Sequence, residues 1–191
     1  MKTVLLPIGD AAEVLDTYYP LFRLREEGYE VLVAGPEKRA YHLVLHERPD
    51  GWDITQERPG YTLQADIAFR DVDPAALAGM VITGGRAPEY LRYDEHLLRI
   101  TRFLMTANKP VASVCHGIEI LAAADVIRGR EVTTVAKCAL DCTFSGGTYV
   151  NREVVISGNL VTCRTWHDNP AWMREYLLLL KREAEEVEGR R

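Results

Sequence analysis

The chain has 191 residues, 47% of them hydrophobic, enough for a single domain over 1–191 that buries about two thirds of its unfolded surface without cross-links. A net charge of −5 and a pI of about 5.6, spread without a basic block, argue against a nucleic-acid partner and against a membrane-surface helix, and leave a small neutral or anionic metabolite as ligand. No apolar run approaches the roughly 18–20 residues of a membrane span, and MKTVLLPIGD has too short an apolar core for a secretory signal, so a cytoplasmic protein is expected.

TVLLPIG and EVLVAG are short β-rich apolar runs, and between them Val14, Leu15, Tyr18, Leu21 and Phe22 recur at helical spacing. This is a β-α-β unit, with Pro20 inside the helical pattern and Gly28 as its stop. From Pro36 to Pro59 the chain turns polar and rich in Pro, Gly and Asp, which reads as an irregular excursion. GMVITGG and KPVASVC are the next strands, separated by a helix over 94–107, so a second β-α-β follows. Strands this apolar suit a parallel sheet covered by helices on both faces, a doubly wound α/β sandwich. EVTTVAKCALDCTFSGGTYV reads as short strands, VVISGNLVTC as a hairpin turning at Gly158-Asn159, and PAWMREYLLLLKREAEE as a final helix whose Trp172, Tyr176, Leu179 and Leu180 pack inward.

The four cysteines, Cys115, Cys138, Cys142 and Cys163, read as thiols in a chain this size. Cys138 and Cys142 are four apart, with no CxxC and no nearby histidine pair, so no metal is expected there. Candidate chemistry gathers instead beyond the carboxyl ends of the strands. Glu13 follows the first strand, Gly84-Gly85 with Arg86 and Glu89 follow MVIT, and Cys115-His116-Gly117 follows VASV. A cysteine at a strand-to-helix corner gains from the helix N-terminus, which favours a thiolate. Backbone N–H groups of Gly85 and His116 could meet an oxyanion, and Gly117 lets the chain turn tightly. Taken alone, CHG reads as readily as a buried small residue at a corner, Glu13 as a helix-start carboxylate, and Gly84-Gly85 as a turn. His42, His46, His96 and His167 lack ligand spacing and read as structural or surface residues.

AEVLDTYYP, ITGGRAPEYLR, KPVASVCHGIEILAAADVIRGR and GNLVTCRTW, in that order, resemble the DJ-1/PfpI (ThiJ/PfpI) superfamily. The segments ITQERPGYTLQADIAF and GGTYV resemble the plant DJ-1-like glyoxalases most, with one such domain here where the plant proteins carry two. The resemblance implies a flavodoxin-like, class I glutamine amidotransferase-like fold, a nucleophilic Cys115, an adjacent His116 and Glu13 in contact with the thiol. It also implies Glu89 as a partner for His116 across a subunit interface, hence a homodimer or higher oligomer, with no cofactor. TTVAKCALDCT departs from the family's tyrosine-proline after the elbow helix.

The activity expected from this resemblance is a glutathione-independent glyoxalase acting on a small α-oxoaldehyde through a Cys115 hemithioacetal, with deglycation of early adducts as related chemistry. Two rivals remain. One is a PfpI-type cysteine peptidase using Cys115, His116 and Glu89; the other is a stress protein in which Cys115 is only oxidised.

Overall fold

The structure is a computed structural model and describes residues 2–189. In chain order it runs β1 (Thr3–Pro7), α1 (Val14–Glu26), β2 (Glu30–Gly35), β3 (Ala40–Glu47), β4 (Gln56–Gln64), β5 (Ile67–Ala68), β6 (Leu77–Ile82), α2 (Ala87–Leu91), α3 (Glu95–Thr106), β7 (Val111–Val114), α4 (Ile118–Ala123), β8 (Glu131–Val132), α5 (Ala139–Phe144), β9 (Thr148–Tyr149), β10 (Val154–Ser157), β11 (Leu160–Cys163) and α6 (Asn169–Gly189).

Seven strands form the central sheet in the order β10-β11-β7-β6-β1-β2-β5. All neighbours are parallel except β10, which folds back on β11 through the Gly158-Asn159 turn. Gly158 sits at φ 63°, the left-handed region that this turn requires. Successive side chains on a strand point to opposite faces, and the two cores follow that period of two. Leu5, Met80, Ile82, Val111 and Leu160 pack under α3 and α4. Val4, Leu6, Val81, Ala112, Val114 and Val161 pack under α1 and α6, where Trp172 is fully buried. The Trp172 indole N–H donates to the Val161 carbonyl at 3.2 Å, so its polar edge is satisfied in the core. This is the doubly wound α/β fold expected from the apolar runs.

Two segments differ from expectation. The 36–59 excursion belongs to an antiparallel ribbon of β3 and β4, with a register shift between His42 and Val44. Its hydrogen bonds hang it from the loop after β1: Ala11 N–H donates to His42 O at 2.8 Å and Val44 N–H to Ala12 O at 2.9 Å. The segment read as short strands after 131 keeps only β8 and β9, of two residues each, and turns helical as α5. Burial decides this, because the helical turn places Cys138 and Cys142 against the core while Phe144 stays exposed. Among the described residues no helix is long and apolar enough to cross a membrane.

Candidate active site

β7 is buried along its whole length and delivers Cys115 at the sheet's carboxyl edge. Cys115 takes φ 55°, a left-handed conformation that costs a non-glycine residue about 1–3 kcal/mol. The surroundings hold it there. The Thr134 hydroxyl donates to the Cys115 carbonyl at 2.5 Å. At Gly117 a Cβ would stand 2.7 Å from Ser113 Oγ and 3.0 Å from Ile82, so only glycine lets the chain fold back on β6 and β7.

The neighbouring turn closes the floor. A Cβ on Gly84 would lie 2.5 Å from Cys115 Cβ, 2.6 Å from Asp16 Oδ2 and 3.2 Å from Cys115 Sγ, so the glycine leaves the thiol and the Asp16 carboxyl facing each other across one small gap. Gly85, at φ 82°, presses against Ala11, Ala12 and Glu13. Glu13 caps α1, its Oε2 accepting the Asp16 N–H at 2.7 Å. Asp16 is fully buried; its Oδ1 meets Asn169 Nδ2 at 3.4 Å and its Oδ2 has no hydrogen-bond partner. On the other side of the sulfur, His116 Nδ1 lies 3.2 Å from Cys115 Sγ.

Desolvation governs the protonation of this floor. Burial pushes the Cys115 thiol well above its usual range, and the Asp16 charge adds to the effect; the backbone N–H groups of His116 and Gly85 act the other way. Burial acts against the expected acidification by a helix N-terminus. Cys115–Gly117 is only a 3-10 turn leading into the six residues of α4, too short a dipole to offset burial. Burial likewise raises Glu13 to about 7 and Asp16 well above the carboxylate range, the second aided by the Glu13 charge. Burial also lowers His116 to about 4, helped by His46 and Lys137, so the imidazole is neutral near pH 7. Burial therefore biases the thiol, the imidazole and the carboxyl pair alike toward their neutral forms.

Asp16 was missed by the sequence reading, although its i, i+3 spacing from Glu13 places both on one helix face. His46 was missed as well. Opposite a bulge at Gly60-Tyr61 of β4 the alternation of β3 breaks at Val44-Leu45 and His46 turns inward, where it is 9% exposed and meets Glu57 Oε1 at 3.1 Å. A cavity of about 250 Å³ opens on Cys115 and is lined by His46, Arg48, Thr55, His116, Lys137, Trp166 and His167 among others. It adjoins a cleft of about 430 Å³ that shares His46, Thr55, His116 and Lys137 and carries Glu57, Arg86 and Glu89. Glu89 pairs with Arg86 at 3.1 Å and faces the cleft of its own chain's His116.

Comparison with known proteins agrees with this geometry. The DJ-1/PfpI family matches residues 2–179. A deglycase of Thermococcus kodakarensis is 39% identical over 95% of this chain and all of its own. Protein DJ-1 homolog D of Arabidopsis thaliana is 36% identical over 94% of this chain and 48% of its own, so the archaeal relative matches more strongly than the plant protein, contrary to the likeness read from 54–69 and GGTYV. DJ-1beta of Drosophila melanogaster, 19% identical, superposes with a TM-score of 0.77 over 97% of each chain, which shows a common fold. The elbow cysteine, the sheet order and these matches together make the chain a member of the DJ-1/PfpI family.

Proposed function

We propose that this protein is a cofactor-independent deglycase acting on early adducts of α-oxoaldehydes, and that the same site converts free methylglyoxal or glyoxal to the hydroxyacid. The observation that carries the reading is the Cys115 sulfur, 3.2 Å from a neutral His116 Nδ1 and across Gly84 from a buried Asp16 carboxyl, at the bottom of a cavity sized for a small carbonyl. The deglycase names among its relatives support it.

In the proposed course His116 accepts the thiol proton as Cys115 Sγ attacks the aldehyde carbon, forming the C–S bond. The Gly85 and His116 N–H groups meet the oxyanion, which takes up the proton to give the hemithioacetal. One carboxyl of the Glu13–Asp16 pair, in its ionised fraction, removes the proton from that carbon, and the enediol is reprotonated at the neighbouring carbon. The result is a thioester of the hydroxyacid. Water adds to the thioester and the C–S bond breaks, restoring the thiol, so methylglyoxal plus water gives lactate. We assign the proton transfer between carbons to Asp16, whose Oδ2 borders the thiol, with Glu13 as its capping and proton-sharing partner. Glu89 and Arg86 would hold the rim.

The test is lactate formation from methylglyoxal without glutathione, together with the decay of a preformed methylglyoxal–N-acetylcysteine adduct. Cys115→Ser is expected to reduce both to the uncatalysed level. Adduct loss faster than its spontaneous dissociation marks a deglycase; loss limited to that rate marks a glyoxalase acting on released aldehyde.

A further inference from the structure

The fold brings together three donors that the sequence keeps apart. A ring nitrogen of His116, a carboxylate oxygen of Glu119 and the sulfur of Cys138 all lie within 4.8 Å of one another. Cys138 Sγ is 3.6 Å from Glu119 Oε1. The other carboxylate oxygen, Oε2, is buried without a hydrogen-bond partner, on a residue that is 7% exposed. Its ion-pair partner, Arg92 Nη1, stands 3.6 Å away, too far for a hydrogen bond, so the burial of this oxygen is only partly compensated. The cysteine spacing argued against zinc because it counted only neighbours in sequence; the histidine comes from the turn after β7 and the carboxylate from α4.

We propose that His116, Glu119 and Cys138 form a regulatory site for a divalent zinc-like cation, and that its occupation switches off the Cys115 chemistry. Nitrogen, oxygen and sulfur donors together suit Zn²⁺, with water as the fourth ligand. Tetrahedral zinc sets its donors about 3.3–3.8 Å apart, so the three must close by about 1 Å, a side-chain adjustment. Cys138 would release its proton to water on binding, and thiolate plus carboxylate would then balance the metal's charge. Arg92 does not bar this. Its Nη1 is 3.6 Å from Glu119 Oε2, while Nη2 is anchored to Asp141 at 3.1 Å and keeps that partner. The ion would enter through the cleft that His116 lines.

The inhibitory consequence rests on the proposed function. If Nδ1 binds the metal, it can no longer accept the Cys115 proton. If Nε2 binds it, Nδ1 carries the hydrogen and again cannot accept one. Either way the base beside the thiol is lost.

The experiment is titration of chelator-stripped protein with Co²⁺ as a spectroscopic probe, then competition by Zn²⁺. Wild type and Cys115→Ser are expected to show one equivalent of tetrahedral Co²⁺ with a sulfur-to-metal charge-transfer band. Cys138→Ser should lose the band, and Glu119→Gln, which keeps the side chain's shape, should weaken Co²⁺ binding about 10–100-fold. Zn²⁺ should inhibit wild-type turnover and spare Cys138→Ser, whose metal-free turnover stays at the wild-type level. No band in wild type, a band that survives in Cys138→Ser, or one that disappears in Cys115→Ser overturns the site. The spectra decide this whether or not the chain proves to be a deglycase.

Discussion

The floor and the rim of the cavity are built on opposite electrostatic plans. On the floor, Cys115, Asp16 and Glu13 are nearly sealed from water and burial holds all three toward their neutral forms. On the rim, Glu57, Arg86 and Glu89 follow one another at 3.7 and 3.1 Å, with Arg86 and Glu89 roughly half exposed, while the buried His46 backs Glu57 at 3.1 Å. Changing a floor residue alters a desolvated group whose neighbours cannot turn to solvent, whereas a rim pair is screened and can exchange its partner for water. Chemistry should therefore be sensitive on the floor, and only access and fit on the rim.

The sharpest way to break this contrast is Asp16→Asn. The amide keeps the shape and the Asn169 contact but cannot move a proton, so turnover should fall about 10²–10⁴-fold with the thermal midpoint nearly unchanged. Steady-state kinetics beside a melting curve would measure it; near wild-type turnover would return the proton transfer to Glu13.

Glu13 offers the next largest effect, on stability. It releases its proton near 4.5 when unfolded and near 7 when folded, so between these values the folded chain binds more protons and stability falls as pH rises. The loss belongs to the coupled Glu13–Asp16 pair, both of whose carboxyls are raised. Urea unfolding at pH 4.5 and 7.5 should show Glu13→Gln with a flatter profile than wild type across that window. His116 has the opposite sign: held neutral down to about 4, it adds stability that is present above about 6.5 and fades as pH falls toward 4. Comparing His116→Gln with wild type separates the two slopes.

Gly84→Ala should cost about 1–3 kcal/mol by crowding Cys115 and Asp16, and should lower kcat more than it raises KM. Chemical denaturation and steady-state kinetics read both effects. The smallest change is expected on the rim, where Glu57→Gln should shift stability by less than about 1 kcal/mol and turnover by only a few-fold. A loss there as large as that of Asp16→Asn would erase the distinction between floor and rim.

Much of this was legible in the chain. Apolar runs such as VASV between turn signals read as buried strands, and the Gly158-Asn159 turn declares its hairpin because it needs a positive φ. Cys115 was legible as a corner residue by its place after β7. The ribbon of β3 and β4 was hidden by its exposed, turn-rich β4 and by the bulge that reverses which side chains face inward. Asp16 was hidden because a carboxylate in the first turn of a helix is ordinarily solvated; only the approach of the Gly84 turn and Asn169 of α6 seals it.

The sequence by itself determined the sheet's strands, its two apolar faces and the corner that carries Cys115, because unbroken apolar runs, helical period and turn chemistry act over a few residues. Tertiary structure alone decided the state of that corner. Desolvation and proximity depend on segments far apart in the chain: α1 supplies Asp16, β3 supplies His46 where a bulge in β4 breaks its alternation, and α4 with the turn before α5 sets Glu119 and Cys138 beside His116. An acidified thiol was therefore the reasonable local expectation, and burial, which no local pattern records, acts against it.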